Sequence, residues 1–217
     1  MANSKRNLDL DGHTKKCTVL NFAPNDNVIV SGSYDHLIKL WYPGTATKTK
    51  TIKGHTAAVR SVSFSPDANL ILSSSDDKSV KIWDVNTLKF KSSYIGHTNW
   101  VTSSDFSGDM TAIVSGGEDK KVMVWDVEKK KCIQKYDCFD DPISKTTFHP
   151  LEQCIITAMK SKHITIHDVR TEKIVQHYDA HEGPVNSFAV HPDGGFMVSV
   201  SGNEIKVIFT INLRYGT

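Results

Sequence analysis

The sequence predicts an all-β chain of five repeated units, each made of four short strands. Three observations carry this: an unbroken 42-residue period, short apolar runs of strand type inside each period, and turn residues between those runs. The period is read from four series in register. Gly12-His13, Gly54-His55 and Gly96-His97 stand 42 residues apart, and the same step reaches Cys138-Phe139 and Ala180-His181. Trp41, Trp83 and Trp125 form a second series, continued by His167 and Phe209. Asp35, Asp77 and Asp119 form a third, continued by Ser161 and Asn203. Ser31, Ser73, Ser115, Thr157 and Ser199 form a fourth and keep a hydroxyl at every step. Four series with one period and no slip are read as a single repeat domain over residues 1–217.

Within a unit, each element has its own signal. Val59–Phe64 reads as an inner strand, Leu70–Ser74 as a middle strand, Ser79–Trp83 as a third and Phe90–Ile95 as an outer strand. Ser65-Pro66-Asp67, Gly108-Asp109 and His191-Pro192-Asp193-Gly194 bracket such runs as turns, and a tight turn is placed at Asp77. Four short strands in about 40–45 residues, with Gly-His and Trp-Asp marks, identify a β-propeller blade.

Gly54-His55 with Trp83-Asp84, and Gly96-His97 with Trp125-Asp126, resemble WD40 repeats, and the resemblance runs from about Asn7 to Phe209. It implies a buried hydrogen-bond chain in each well-kept blade, running from Asp to His to hydroxyl to indole. The sets are His13, Ser31, Asp35 and Trp41; His55, Ser73, Asp77 and Trp83; and His97, Ser115, Asp119 and Trp125. Ser, His and Asp together invite a catalytic reading. A nucleophilic triad, however, is one constellation beside an oxyanion hole, whereas this set occurs complete three times and is read as structural. The fourth unit has Phe139, Thr157, Ser161 and His167 at these places, and the fifth has His181, Ser199, Asn203 and Phe209. Both are expected to rely on apolar packing more than on a polar chain.

Composition bounds the remaining possibilities. Of 217 residues, 39% are hydrophobic and 23% charged, which suits a soluble globular chain. A formal charge of +2 is too small to point to nucleic acid or an acidic membrane as partner. No segment approaches the roughly 20 apolar residues of a membrane helix, and Met1–Asp11 lacks the apolar stretch of a signal peptide. A cytosolic or nuclear location is expected, with Cys17, Cys132, Cys138 and Cys154 as buried, reduced thiols.

No cofactor motif or metal motif is read. His163 and His167 have the spacing of a helical metal pair, but on a strand they lie roughly 13 Å apart. His149-Pro150 and His191-Pro192 occupy the slot of Ser65-Pro66 and are read as turn residues. Lys129–Lys131 is placed in the loop after the third strand of its blade, as a solvated run or a contact for an acidic surface such as tubulin.

A strand at Arg6–Asp11, five sets of three inner strands and four outer strands make twenty, the number a closed five-blade ring needs. Units of 42 residues resemble those of seven-blade rings, so a partial arc of that type is preferred. It would leave two apolar blade faces for another chain to cover; the closed five-blade ring is the alternative.

Partners of WD40 proteins often dock on the face bearing the Gly-His loops and Asp turns. Here Lys16, Tyr34, Asp76, Trp100, Glu118, Asp140, Pro142 and Lys160 fall there. Trp100 takes a slot held by Lys16, Ala58, Pro142 and Pro184 in the other units, so the fold does not require an indole there, and a large aromatic is a suitable anchor. His55-Thr-Ala-Ala-Val-Arg-Ser-Val, Asp76-Asp-Lys-Ser-Val-Lys-Ile-Trp, His97-Thr-Asn-Trp-Val, Asp168-Val-Arg-Thr, Gln176-His-Tyr, Val185-Asn and His191-Pro-Asp-Gly resemble the centriolar "proteome of centriole" WD40 family. That resemblance implies a cytoskeletal, non-catalytic scaffold at centrioles or basal bodies of cilia. Such a scaffold binds tubulin in the microtubule wall and other centriolar scaffold proteins. A general adaptor in a nuclear or ubiquitin-ligase complex is the alternative.

Overall fold

The computed structural model describes residues 9–24, 28–43, 49–151 and 153–210. These residues are all-β, and the strands follow the repeat. Blade 1 is β1 (Cys17–Phe22), β2 (Ile29–Ser33), β3 (Leu37–Trp41) and β4 (Thr49–Lys53). Blade 2 is β5 (Val59–Phe64), β6 (Leu70–Ser75), β7 (Ser79–Asp84) and β8 (Phe90–Ile95). Blade 3 is β9 (Val101–Phe106), β10 (Ala112–Gly117), β11 (Val122–Asp126) and β12 (Lys131–Tyr136). Blade 4 is β13 (Ile143–Phe148), β14 (Cys154–Met159), β15 (His163–Asp168) and β16 (Ile174–Asp179). Blade 5 contributes β17 (Val185–Val190), β18 (Phe196–Ser201) and β19 (Glu204–Phe209). Each blade is an antiparallel meander, four-stranded in blades 1 to 4 and three-stranded in the described part of blade 5. The chain is a five-blade β-propeller.

The turns repeat as faithfully as the strands. Left-handed backbone occurs at His36, Lys78 and Lys120, and again at Leu88, Lys130 and Glu172, each set on the 42-residue step. Asp35 and Asp77 fix the first of these turns by accepting from the N–H of Leu37 and Ser79 at 3.0 and 3.1 Å. His149 and His191 do hold the turn slot of Ser65: their N–H groups donate to the carbonyls of Cys154 and Phe196, as Ser65 does to Leu70.

The glycine of each Gly-His mark has a packing cause. A Cβ at Gly54 would lie 1.8 Å from the ring of Trp83, and one at Gly96 would lie 2.9 Å from Trp125. The indole occupies the space a side chain would need. Where the Trp slot holds His167, or Ile208 through a one-residue shift in the register of β19, the glycine slot is released to Cys138 and Ala180.

Apolar cores form between blades. One joins Val30, Leu40 and Ile52 of blade 1 to Val62, Phe64 and Ile71 of blade 2. Three more join blades 2 and 3, 3 and 4, and 4 and 5. None links blade 5 to blade 1 among the described residues. Repeat-equivalent positions show the result directly. Phe64 is 7% exposed, but Phe22 is 63% exposed; Val62 is 2% exposed, but Leu20 is 66% exposed. Four cores hold five blades, so the described residues form an arc with an open seam between blades 1 and 5.

Three sequence expectations need correction. Asp9–Asp11 form no strand, and the rest of the expected Arg6–Asp11 strand lies outside the described residues. Lys131 opens β12 instead of lying in the loop, because β11 and β12 pair from Asp126 opposite Lys131. None of the four cysteines forms a disulfide, but only Cys154 is buried; Cys17, Cys132 and Cys138 are exposed.

Candidate functional site

The repeated polar residues form the same joint three times. In blade 2, Trp83 Nε1 donates to Ser73 Oγ at 2.8 Å, Ser73 meets His55 Nε2 at 2.8 Å, and His55 Nδ1 meets Asp77 Oδ2 at 2.8 Å. Blades 1 and 3 repeat it through Trp41, Ser31, His13 and Asp35, and through Trp125, Ser115, His97 and Asp119. The donors run one way, from indole to hydroxyl to imidazole to carboxylate, and every serine hydroxyl is consumed between a tryptophan and a histidine. The three joint hydroxyls are therefore held as structural links. Burial opposes the charge on Asp35, but hydrogen bonds from the Thr14 N–H, His13 and the Leu37 N–H hold its pKa at about 2. Asp77 and Asp119 are likewise held below the ordinary carboxylate value.

The fifth blade departs from expectation. Asn203 fills the Asp slot, yet Glu204, one residue on, reaches His181 Nδ1 at 2.9 Å, and His181 Nε2 meets Ser199 at 2.8 Å. A longer side chain one position later restores the carboxylate, so blade 5 keeps a polar chain without the indole. Blade 4 has lost it. His167 stands in the Trp slot, buried against Tyr136 and Phe139 with ring centroids 5.2 and 5.1 Å away.

Burial lowers the pKa of His167 to about 4, from an ordinary 6.5. The fold therefore favours neutral His167. Its contribution is complete above pH 6.5 and is lost as pH falls towards 4. The loss is on the order of 3 kcal/mol, at about 1.4 kcal/mol per pKa unit. Urea titrations of wild type and His167→Phe at pH 7 and pH 4.5 should show a smaller acid loss in the variant. Equal losses would contradict the assignment.

The face carrying the Gly-His loops and Asp turns is built from two backbone-linked slots. The N–H groups of Tyr34, Asp76, Glu118 and Lys160 donate to the carbonyls of Lys16, Ala58, Trp100 and Pro142 at 2.8–3.0 Å. Seven of the eight face residues chosen from sequence thus sit on paired positions of one rim. The eighth, Asp140, joins through its carbonyl, which accepts from Lys120 Nζ.

A third slot, overlooked in the sequence, organises this rim. Each inner strand carries a β-bulge, which falls at Thr18, Arg60, Thr102, Ser144 and Asn186. A bulge turns its side chain out of the ladder, here to the mouth of the central channel. Thr18 and Thr102 use the position as a latch: each hydroxyl reaches a carbonyl of the next blade, Val59 at 2.5 Å and Ile143 at 2.7 Å. Arg60 is the one long cation in the series. Its Nε and Nη2 donate to the two carboxylate oxygens of Asp76, both at 2.7 Å, and its Nη1 donates to the Tyr34 hydroxyl at 2.7 Å. The guanidinium carbon lies 4.8 Å from the Tyr34 ring and 5.2 Å from the Trp100 ring. The hydrogen bonds to Asp76 raise the Arg60 pKa further. Trp100 remains 45% exposed, with Lys160 paired to Glu118 on the same rim.

Below this rim runs a channel of about 730 Å³. Asp105 and Lys145 line it and do not recur in the repeat. Burial raises the Asp105 carboxyl and lowers the Lys145 ammonium, while Thr147 donates to Asp105 and Lys145 Nζ donates to the Phe188 carbonyl at 2.6 Å. Both groups are spent on links between neighbouring blades.

The sequence profile of the family described as "WD domain, G-beta repeat" matches residues 4–42, 46–84, 88–126 and 172–208. The unmatched interval, 127–171, contains β13, β14 and β15 of blade 4, the blade that has lost the Asp–His–hydroxyl–Trp joint. No curated protein matches the chain. The profile covers well over half of the sequence, and the blades carry the family's repeated marks: the chain belongs to the WD40-repeat family.

Proposed function

We propose that this WD40 propeller is a non-catalytic scaffold of centrioles or basal bodies, docking on tubulin in the microtubule wall through the rim around Arg60. WD40 propellers generally bind proteins, and the single observation that carries the docking face is the Tyr34–Arg60–Trp100 stack. Two aromatic rings flank a guanidinium whose fork is already fixed by Asp76. A pre-ordered aromatic and cationic surface loses little side-chain entropy on binding, and Trp and Arg are the residues that most often dominate interfaces. Lys16 and Lys160 on the same rim suit an acidic partner. The centriolar assignment rests on the sequence segments that resemble that family. Other scaffold proteins, or a further chain on the uncovered blade faces, complete the contacts.

Microtubule co-sedimentation tests this reading. The wild-type chain should pellet with polymerised tubulin, and Trp100→Ala should weaken binding at least tenfold, the scale of a lost interface anchor. Its thermal midpoint should be nearly unchanged, because the indole is partly exposed. No pelleting, together with a tagged protein that is diffuse or nuclear in ciliated cells, would replace the reading with a general adaptor role.

A further inference from the structure

We propose that the outer edge of blade 4 binds a divalent transition-metal ion of the zinc class through His163, His177 and Asp179. The two strands bring these residues together by register. His163 of β15 lies directly opposite Asp179 of β16, and His177 lies two residues before Asp179, so all three project from one face. Their donor atoms lie within 4.8 Å of one another. Asp179 Oδ1 stands between the imidazoles, 2.7 Å from His163 Nδ1 and 3.7 Å from His177 Nε2. Zinc–nitrogen and zinc–oxygen bonds of about 2.0–2.1 Å place tetrahedral ligands about 3.3 Å apart. The two separations bracket that spacing, so small side-chain rotations bring the donors onto one ion.

Two further observations favour a ligand set over a chance cluster. The preceding blade holds Lys121, Lys135 and Asp137 at the same slots, with ammonium–carboxylate distances of 3.6 and 3.1 Å. There the fold meets its electrostatic need with two cations that have no lone pair to offer. In blade 4 both ammoniums are replaced by imidazoles, the side chains that suit zinc, copper and nickel. His163 Nδ1 is also buried, with Asp179 Oδ1 beside it. A buried imidazole nitrogen beside a carboxylate oxygen offers two donor atoms of the kinds zinc takes. Lys162 Nζ, 3.6 Å from Asp179 Oδ2, neutralises the other carboxylate oxygen and leaves Oδ1 as the metal ligand. Three protein ligands leave a fourth position for water. The sequence pairing of His163 with His167 missed this set because the partner lies across the ladder: His167 turns inward to Tyr136 and Phe139.

Cobalt(II) and zinc(II) are the probes. The full chain, titrated with cobalt(II), should develop visible d–d absorption of four-coordinate intensity at one equivalent, and zinc(II) should displace it. Calorimetry with zinc(II) should give one site, weakened at least tenfold in His177→Ala and in Asp179→Asn. Both substitutions are at exposed positions, and circular dichroism should show unchanged folding. Absence of the absorption in the wild type, or zinc binding that survives both substitutions, would overturn the proposal.

Discussion

Replacing Gly54 with alanine should destabilise the protein by about 2–3 kcal/mol, the cost of forcing a methyl group into a filled core. The unfolding midpoint should fall by roughly 5–10 °C for a domain of this size. The added Cβ would lie 1.8 Å from Trp83 Cη2 and 2.4 Å from Cζ2. The indole cannot retreat without releasing its bond to Ser73, which in turn holds His55. Gly108→Ala is the matched control, since nothing lies within 4 Å of a Cβ there. Gly12→Ala, with Trp41 at 3.2 Å, should fall between the two. Thermal melts followed by circular dichroism would read the series, and equal midpoints for Gly54→Ala and Gly108→Ala would refute the packing account.

Asp77→Ala should cost about 3 kcal/mol, within the range for breaking a buried charged pair while leaving its partner behind. The carboxylate accepts from His55 Nδ1, from the N–H groups of Thr56 and Ser79, and from the Ser79 hydroxyl. Its removal leaves a buried imidazole and the tight turn without their common acceptor. Ser161→Ala, at the equivalent place in blade 4, should leave stability unchanged or raise it slightly. The Ser161 hydroxyl is buried and makes no hydrogen bond, so its removal relieves a desolvated polar atom. Urea unfolding would compare the two, and similar midpoints would show that the joint does not carry the stability assigned to it.

The residues that made the fold legible recur for local reasons. Gly54 exists because an indole lies against it, Asp77 because a turn and a histidine share it, and Val80 and Ile82 because a neighbouring blade covers them. Such causes leave a periodic trace in the sequence. The proposed docking rim was half visible. Trp100 stood out because its slot tolerates anything, but Arg60 was passed over although its own series of Thr, Arg, Thr, Ser and Asn was equally informative. A bulge shifts strand register by one residue, and alternation alone does not show which side chain it turns into the channel. Glu204 escaped for a related reason: a contact made one residue late breaks the period while keeping the chemistry. The metal ligands were illegible because cross-strand neighbours lie 14 and 16 residues from His163, at separations set by the length of a hairpin.

The open seam gives the molecule an uneven economy of neighbours. Among the described residues, blades 2, 3 and 4 each have a core on both sides, whereas blades 1 and 5 have one apiece. Stability in such a row is a sum over adjacent pairs, so opening from either end sacrifices one junction while opening in the middle sacrifices two. Blade 3, where Trp100 and the third polar joint sit, is therefore the thermodynamic interior of the chain. Any surface that comes to rest on Phe22 or Phe209 adds a further junction, which ties how firmly the row holds together to the concentration of whatever covers its ends.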